Sequence, residues 1–243
     1  MRRWLAPLAL LLPLVLTAQG RGRAELQPNV GYTGQLAFTR IRYGDTGWGR
    51  GGSWWSHDYP RADLHLSRIL HDLTTIDATL RGSNVYGLSD PEIFHFPFIY
   101  ISEPGYWDMS ESDVGNLRSY LLKGGFLIFD DFEEEHLLNV EAQMQRALPE
   151  LKMIEIRIDH PIFDVFFRMK TIDFPHPMQT WLRARYYAIF ENNDPKGRML
   201  ALINHNSDLA EYWEWSGEGM FPVDITSDAY KLGVNYLVFG MTH

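Results

Sequence analysis

The sequence predicts an α/β fold, a three-layer sandwich with a mostly parallel central sheet and an added antiparallel hairpin. Three observations lead there. Short apolar runs alternate with amphipathic helical segments through the first two thirds of the chain. Two of those runs, Phe96 to Ser102 and Phe126 to Phe129, are continuously apolar, as in strands buried on both faces. Later, the turn-forming Asp194-Pro195-Lys196-Gly197 separates two strand-like segments, Tyr186 to Glu191 and Met199 to Asn204.

Taken in order, Leu36 to Tyr43 alternates apolar and polar and reads as the first strand. Pro60 suits the first turn of a helix, and Leu66, Ile69, Leu70, Leu73, Ile76 and Leu80 fall on one helical face. Ser110-Glu111-Ser112-Asp113 resembles a capping box opening a second helix, which Gly124-Gly125 ends as a left-handed cap. A third helix is expected from about Glu134 to Leu148, its acidic start favoured by the helix dipole. Lys152 to Ile158 alternates as a fourth strand, and Tyr230, Gly233, Val234, Leu237 and Met241 mark a final helix. Strands alternating with helices over short links favour a parallel sheet covered on both faces. No repeat or interdomain linker interrupts residues 35–243, which read as one domain behind a flexible leader, 21–34.

Residues 1–20 have a different character. Met1-Arg2-Arg3 precedes an apolar run from Trp4 to Leu16, too short to span a bilayer, and Ala18-Gln19-Gly20 offers small residues for cleavage. This predicts a signal peptide, hence an exported, periplasmic or secreted protein without a transmembrane span in the mature chain. The 243 residues include no cysteine, which excludes disulfides, thiolate metal sites, a lipid-anchored cysteine and a cysteine nucleophile. A net charge of −9 argues against nucleic acid as a partner.

Ligands of an open parallel sheet bind beyond the carboxyl ends of its strands. Polar and aromatic residues gather in the segments expected there: Asp45, Trp48, Trp54, Trp55, His57 and Asp58; Glu103, Tyr106 and Trp107; Asp130 and Asp131; His160; Asn204, His205 and Asp208; Trp213 and Trp215. Every tryptophan beyond residue 20 except Trp181 lies in or beside these segments, as a carbohydrate-like ligand would need. Asp130-Asp131 is the sharpest feature, because two carboxylates at a buried strand tip shift one another's pKa as acid/base pairs require. Since neighbours on a strand face opposite ways, one is expected in the cleft and the other on the helix that follows. His57, Asp58, Asp131, His160 and His205 could converge as nitrogen and oxygen ligands. No HExxH or other tight ligand spacing occurs, so no metal site is assigned. No GxxxxGK[ST] loop and no GxSxG elbow occurs, and the glycine-dense Gly47 to Gly52, though it can be aligned with a GxGxxG spacing, lies in a tryptophan-rich loop, so no cofactor is expected.

Several blocks together resemble the bacterial domain of unknown function 4159 family. They are Phe38-Thr39-Arg40-Ile41-Arg42-Tyr43, Gly124-Gly125-Phe126-Leu127 through Asp130-Asp131-Phe132, His160-Pro161-Ile162-Phe163, Tyr212-Trp213-Glu214-Trp215-Ser216 and Gly233-Val234-Asn235-Tyr236. The resemblance implies a class I glutamine amidotransferase-like, flavodoxin-related sandwich in an envelope protein, in some cases encoded near MoxR-type ATPases and von Willebrand A-domain proteins. In that superfamily a cysteine nucleophile follows the strand equivalent to Phe126–Phe129; here the place holds Asp130-Asp131. Three functions follow as expectations. The first is a non-catalytic module binding a ligand or partner at the strand ends. The second is a glycan or peptidoglycan hydrolase using Asp131 or Asp130 with His160 or His205. The third is a scaffold subunit of an envelope complex.

Overall fold

A computed structural model describes residues 26–44 and 54–243. Seven strands form one sheet: β1 Thr39–Ile41, β2 Asn84–Tyr86, β3 Phe98–Ser102, β4 Phe126–Asp130, β5 Met153–Ile156, β6 Arg185–Phe190 and β7 Met199–His205, in the order β2-β1-β3-β4-β7-β6-β5. The neighbours from β2 through β7 pair in parallel, whereas β6 runs against both β7 and β5. The predicted α/β class and mostly parallel sheet are thus observed. Five α-helices accompany it: α1 Arg61–Leu73, α2 Glu111–Leu122, α3 His136–Ala147, α4 Leu209–Glu214 and α5 Val223–Thr242.

Strand alternation divides the core into two layers. Phe98, Tyr100, Phe126, Ile128 and Leu202 pack with Leu66, Leu70, Leu232 and Leu237 of α1 and α5. Ile99, Ile101, Leu127, Phe129 and Ile203 pack with Leu117, Leu121, Val140 and Met144 of α2 and α3. Gly233 lets α5 approach closely, since a Cβ there would lie 2.8 Å from the Trp213 ring and 2.9 Å from Leu66. Among the described residues no helix is long and apolar enough to cross a membrane.

Local signals in the sequence account for several boundaries. Ser110 Oγ accepts from the Asp113 amide at 3.2 Å and Asp113 Oδ2 accepts from the Ser110 amide at 3.1 Å, the reciprocal cap that starts α2. Gly124, at φ +114°, ends the turn after that helix. Asp194 Oδ1 accepts from the Lys196 amide at 3.0 Å in the β6–β7 turn.

Several details differ from the expectations. The antiparallel hairpin is present as β6 and β7, but it joins within the sheet: β7 pairs beside β4, Leu127 opposite Ala201, and β5 lies at the far edge. The expected fourth strand, β5, is therefore half-exposed and held by β6 alone, in an antiparallel pair where a parallel one was expected. Helix α1 stops at Leu73, and Ile76 and Leu80 lie beyond it, because Thr74 turns extended. Strand β2 was not anticipated; three residues between Gly82 and Gly87 carry too little pattern to read. The end of the expected leader is also tied down, with Asn29 exchanging hydrogen bonds with the Val85 backbone at 3.0 and 2.8 Å.

Arg40 on β1 is fully buried and decides where the next segment goes. Its guanidinium donates to the Trp55 carbonyl at 3.0 Å, the His57 carbonyl at 2.7 Å and Asp63 Oδ1 at 2.7 Å. It also lies 5.0 Å from the Tyr100 ring centre. One side chain thus fastens the 55–57 backbone to both the sheet and α1. Breaking a buried pair by removing one partner leaves an uncompensated charge, so Arg40→Met should lower the unfolding free energy by about 3–5 kcal/mol. Arg40→Met/Asp63→Leu should recover much of that loss, both read from urea unfolding midpoints.

Candidate functional site

Strand register delivers a row of polar groups to the carboxyl edge of the sheet. Ser102 of β3 stands opposite Asp130 of β4, and Phe129 opposite Ile203 places Asn204 of β7 in the same row. Just past each strand the chain turns through the left-handed region, at Glu103 (φ 50°), Asp131 (φ 61°) and Asn206 (φ 55°). Asp58, delivered by the Arg40-anchored segment, adopts it too at φ 61°. Each such non-glycine residue costs about 1–3 kcal/mol, strain that the surrounding packing must hold. A short antiparallel bridge between Phe132 and Ser207 ties the exits of β4 and β7 together, which sets Asp131 beside Asp208.

The two adjacent aspartates have separate roles. Asp130 is fully buried and accepts four hydrogen bonds: from the Tyr100 hydroxyl at 2.9 Å, Asn204 Nδ2 at 3.2 Å, and the Leu209 and Ala210 amides at 2.9 and 3.2 Å. It secures the start of α4, not the helix after β4 as the sequence suggested, because its side chain faces the α1/α5 layer. Burial and the Asp131 charge push its pKa up to about 7 against the pull of those donors. Asp131 turns into the rim, where Oδ2 lies 2.5 Å from His57 Nδ1 and accepts from Ser102 Oγ at 2.9 Å. Burial alone would raise Asp131, but the His57 hydrogen bond and charge hold it below the ordinary carboxylate value.

Around this pair the charge is one-sided. One donor atom from each of His57, Asp58, Asp131 and Asp208 lies within 4.8 Å of the others, and Asp58, Glu211 and Glu214 form a second such group. His57 Nδ1 is also 3.9 Å from Asp58 Oδ2 and 3.9 Å from Glu103 Oε1. Burial works against a charged imidazole, yet Asp131, Asp208 and Glu103 raise His57 to about 10, although 42% of its side chain meets solvent. Asp58 is 4% exposed, and among the described residues no nitrogen or hydroxyl donor reaches either carboxylate oxygen; the Glu211 and Glu214 carboxyls are within hydrogen-bonding reach only when a proton is shared. Burial, then Asp131 and Glu211, drive its pKa well above the ordinary value. Asp208 accepts from the Glu211 amide at 2.9 Å and is raised likewise by burial, Asp131 and Asp58.

The remaining candidates separate. His160 belongs to the opposite end of the sheet, packed on Phe190 at 5.6 Å and Phe239 at 5.5 Å, because the chain doubles back after β5. His205 projects into the α2/α3 layer beside Phe132, and its Nε2 lies 3.0 Å from the Glu134 carbonyl. An acid/base pair of Asp131 or Asp130 with either histidine is not assembled. Trp55, Trp107 and Trp213 are buried core residues, which overturns the reading of the loop tryptophans as one ligand surface. Trp54 stacks on half-exposed Tyr106 at 4.1 Å, and Trp215 lies under the Arg61 guanidinium at 5.1 Å. Asn204 is buried against Asp130. Asp45 and Trp48 lie outside the described residues.

Arg40, Ser102, Glu211 and Glu214 are not among the sequence-predicted site candidates, although Arg40, a charge inside an apolar strand, and Glu214, between two tryptophans, stand in blocks the sequence singles out. A cleft of about 520 Å³ at the amino ends of the strands, bordered by Leu36, Phe96, Tyr120 and Gly124, is remote from this cluster.

The charge pattern fixes the direction of pH dependence. His57, raised above its unfolded value of 6.5, contributes stability that is complete below that pH and lost as pH climbs through about 10. Raised Asp58 and Asp208 act in the same direction, since the unfolded chain releases their protons first. Asp131, lowered, contributes above its unfolded value of 3.8 and loses this as the solution is acidified. With a chelator present, the urea midpoint should therefore fall from about pH 6.5 to about pH 10. The His57 ring resonances should titrate near 10 in the wild type and well below that in Asp131→Asn.

No curated protein matches the chain. Residues 37–241 match the family described as a domain of unknown function (DUF4159), over most of the chain's length. The protein whose rim carries His57, Asp58, Asp131 and Asp208 belongs to that family.

Proposed function

We propose that this is an exported, amidotransferase-like protein whose strand-end rim binds a divalent cation, and through it a ligand, at His57, Asp58, Asp131 and Asp208. Export is supported by the composition of residues 1–20. The amidotransferase-like reading is supported by the parallel core of the sheet and by the left-handed turn at Asp131, where that superfamily carries its nucleophile. With an aspartate there and no cysteine in the chain, acyl transfer through a thiol has no residue to carry it.

The observation that carries the cation reading is Asp58. Among the described residues its oxygens meet no nitrogen or hydroxyl donor, only the carboxyls of Glu211 and Glu214, and a carboxylate so removed from water costs several kcal/mol unless a positive charge or a proton satisfies it. Three carboxylates and one imidazole form a mixed oxygen and nitrogen set suited to Mn²⁺ or Zn²⁺. Without a cation, the raised pKa values of His57, Asp58 and Asp208 favour balance by protons held there. The cation would replace them, so binding should release protons.

The test is calorimetric titration of chelator-treated protein with Mn²⁺ and Zn²⁺ in buffers of different ionisation enthalpy. Binding at pH 7 should release at least about one proton per cation, and Asp58→Asn should weaken it by about 100-fold or more. Saturation at about 100 times Kd should add about 2.7 kcal/mol to the unfolding free energy. Absence of binding heat and of thermal stabilisation at millimolar cation would overturn the reading in favour of a proton-satisfied cluster.

A further inference from the structure

Asp58 belongs to both groups of converging donors, and we infer that it bridges two divalent cations, the second held by Glu211 and Glu214 of α4. The inference rests on the cation reading above and extends it from one ion to two. Three observations carry it. Glu211 and Glu214 are one helical turn apart, on one face of α4, and each offers a carboxylate oxygen within 4.8 Å of Asp58 and of the other. Among the described residues no nitrogen or hydroxyl donor reaches either oxygen of buried Asp58, which meets Glu211 and Glu214 only carboxyl to carboxyl, so a cation could take the place of the shared proton. Helix α4 is fixed at its start by Asp130 and Asp208, so its glutamates are presented on a held element rather than a loose loop.

Among the described residues no lysine or arginine is ion-paired with this second group, and His57 and Arg61 act on Glu214 only through space. His57 Nδ1 is drawn to Asp131, and Arg61 pairs with Glu218 and lies over the Trp215 ring. Its ligands are all oxygen, which favours Mg²⁺ or Mn²⁺ over softer ions, whereas the first group includes an imidazole. Two cations sharing a carboxylate clamp a ligand whose anionic oxygens reach both. The chemical class that fits is accordingly an oxyanion.

Mn²⁺ stoichiometry, measured by calorimetry and by the loss of free-Mn²⁺ paramagnetic signal, separates this inference from the one it rests on. Wild type should bind two Mn²⁺ per chain and Glu211→Gln/Glu214→Gln one. The double variant removes like charges from a crowded site, so without cation it should melt no lower than wild type; Glu214→Gln alone is the milder substitute. One Mn²⁺ in both proteins would overturn the bridge and leave the first site standing. Two in both would place the second ion elsewhere and also overturn it. A single wild-type ion lost in the double variant would mean one site built around α4, with no bridge. No Mn²⁺ in either protein would remove both readings.

Discussion

Carboxylates crowded into a region of low dielectric are the constraint on which the strand-end architecture depends. Among the described residues Asp58, Asp63, Asp130, Asp131, Asp208 and Glu211 are buried, and Arg40 is the buried arginine set against them. Like charges about 4 Å apart interact by about 4 kcal/mol at an effective dielectric near 20, comparable to a large share of a domain's net stability. The fold answers most of this locally. Asp63 takes Arg40, Asp130 takes four donors, and Asp131 takes His57 and Ser102. Asp58, Asp208 and Glu211 form the remainder, the part least compensated, with one amide donor on Asp208 and His57 acting from a distance.

Geometry makes that remainder a site rather than a scatter of acids. Parallel strands in register end at one level, so the residues immediately beyond β3, β4 and β7 become neighbours although they are remote in sequence. Left-handed turns at Glu103, Asp131 and Asn206 aim the chain sharply at that edge. Arg40 brings the fourth contributor, the segment carrying His57 and Asp58, by holding backbone carbonyls instead of side chains. Strain at four non-glycine residues is tolerated because hydrogen bonds and packing on both sides over-determine each position.

The parts of this arrangement visible in the sequence are those governed by local chemistry. The Ser110–Asp113 cap, Gly124, the Asp194–Gly197 turn and the apolar runs of β3 and β4 each act within a few residues, and each was readable. The rim was legible as a place, because parallel topology sends strand exits to one edge, and His57, Asp58, Asp131 and Asp208 do meet there. Strand order was not legible: nothing local says that β7 inserts beside β4, and that insertion consigns β5 to the edge. His160 and His205 were misread for related reasons, a chain reversal after β5 and the alternation that turns His205 to the other face. The tryptophans misled because indole rings plug the ends of a sheet as readily as they line a cleft; Trp213 fills the space that Gly233 leaves open.

The most direct measurement is anomalous diffraction at the manganese edge from crystals of the full chain grown with Mn²⁺. A peak enclosed by His57, Asp58, Asp131 and Asp208 is the expected result, with a second on the Glu211–Glu214 side of Asp58. Density without a peak at these carboxylates, in crystals where Mn²⁺ is present in solution at millimolar concentration, would contradict the account and leave a cluster neutralised by protons alone.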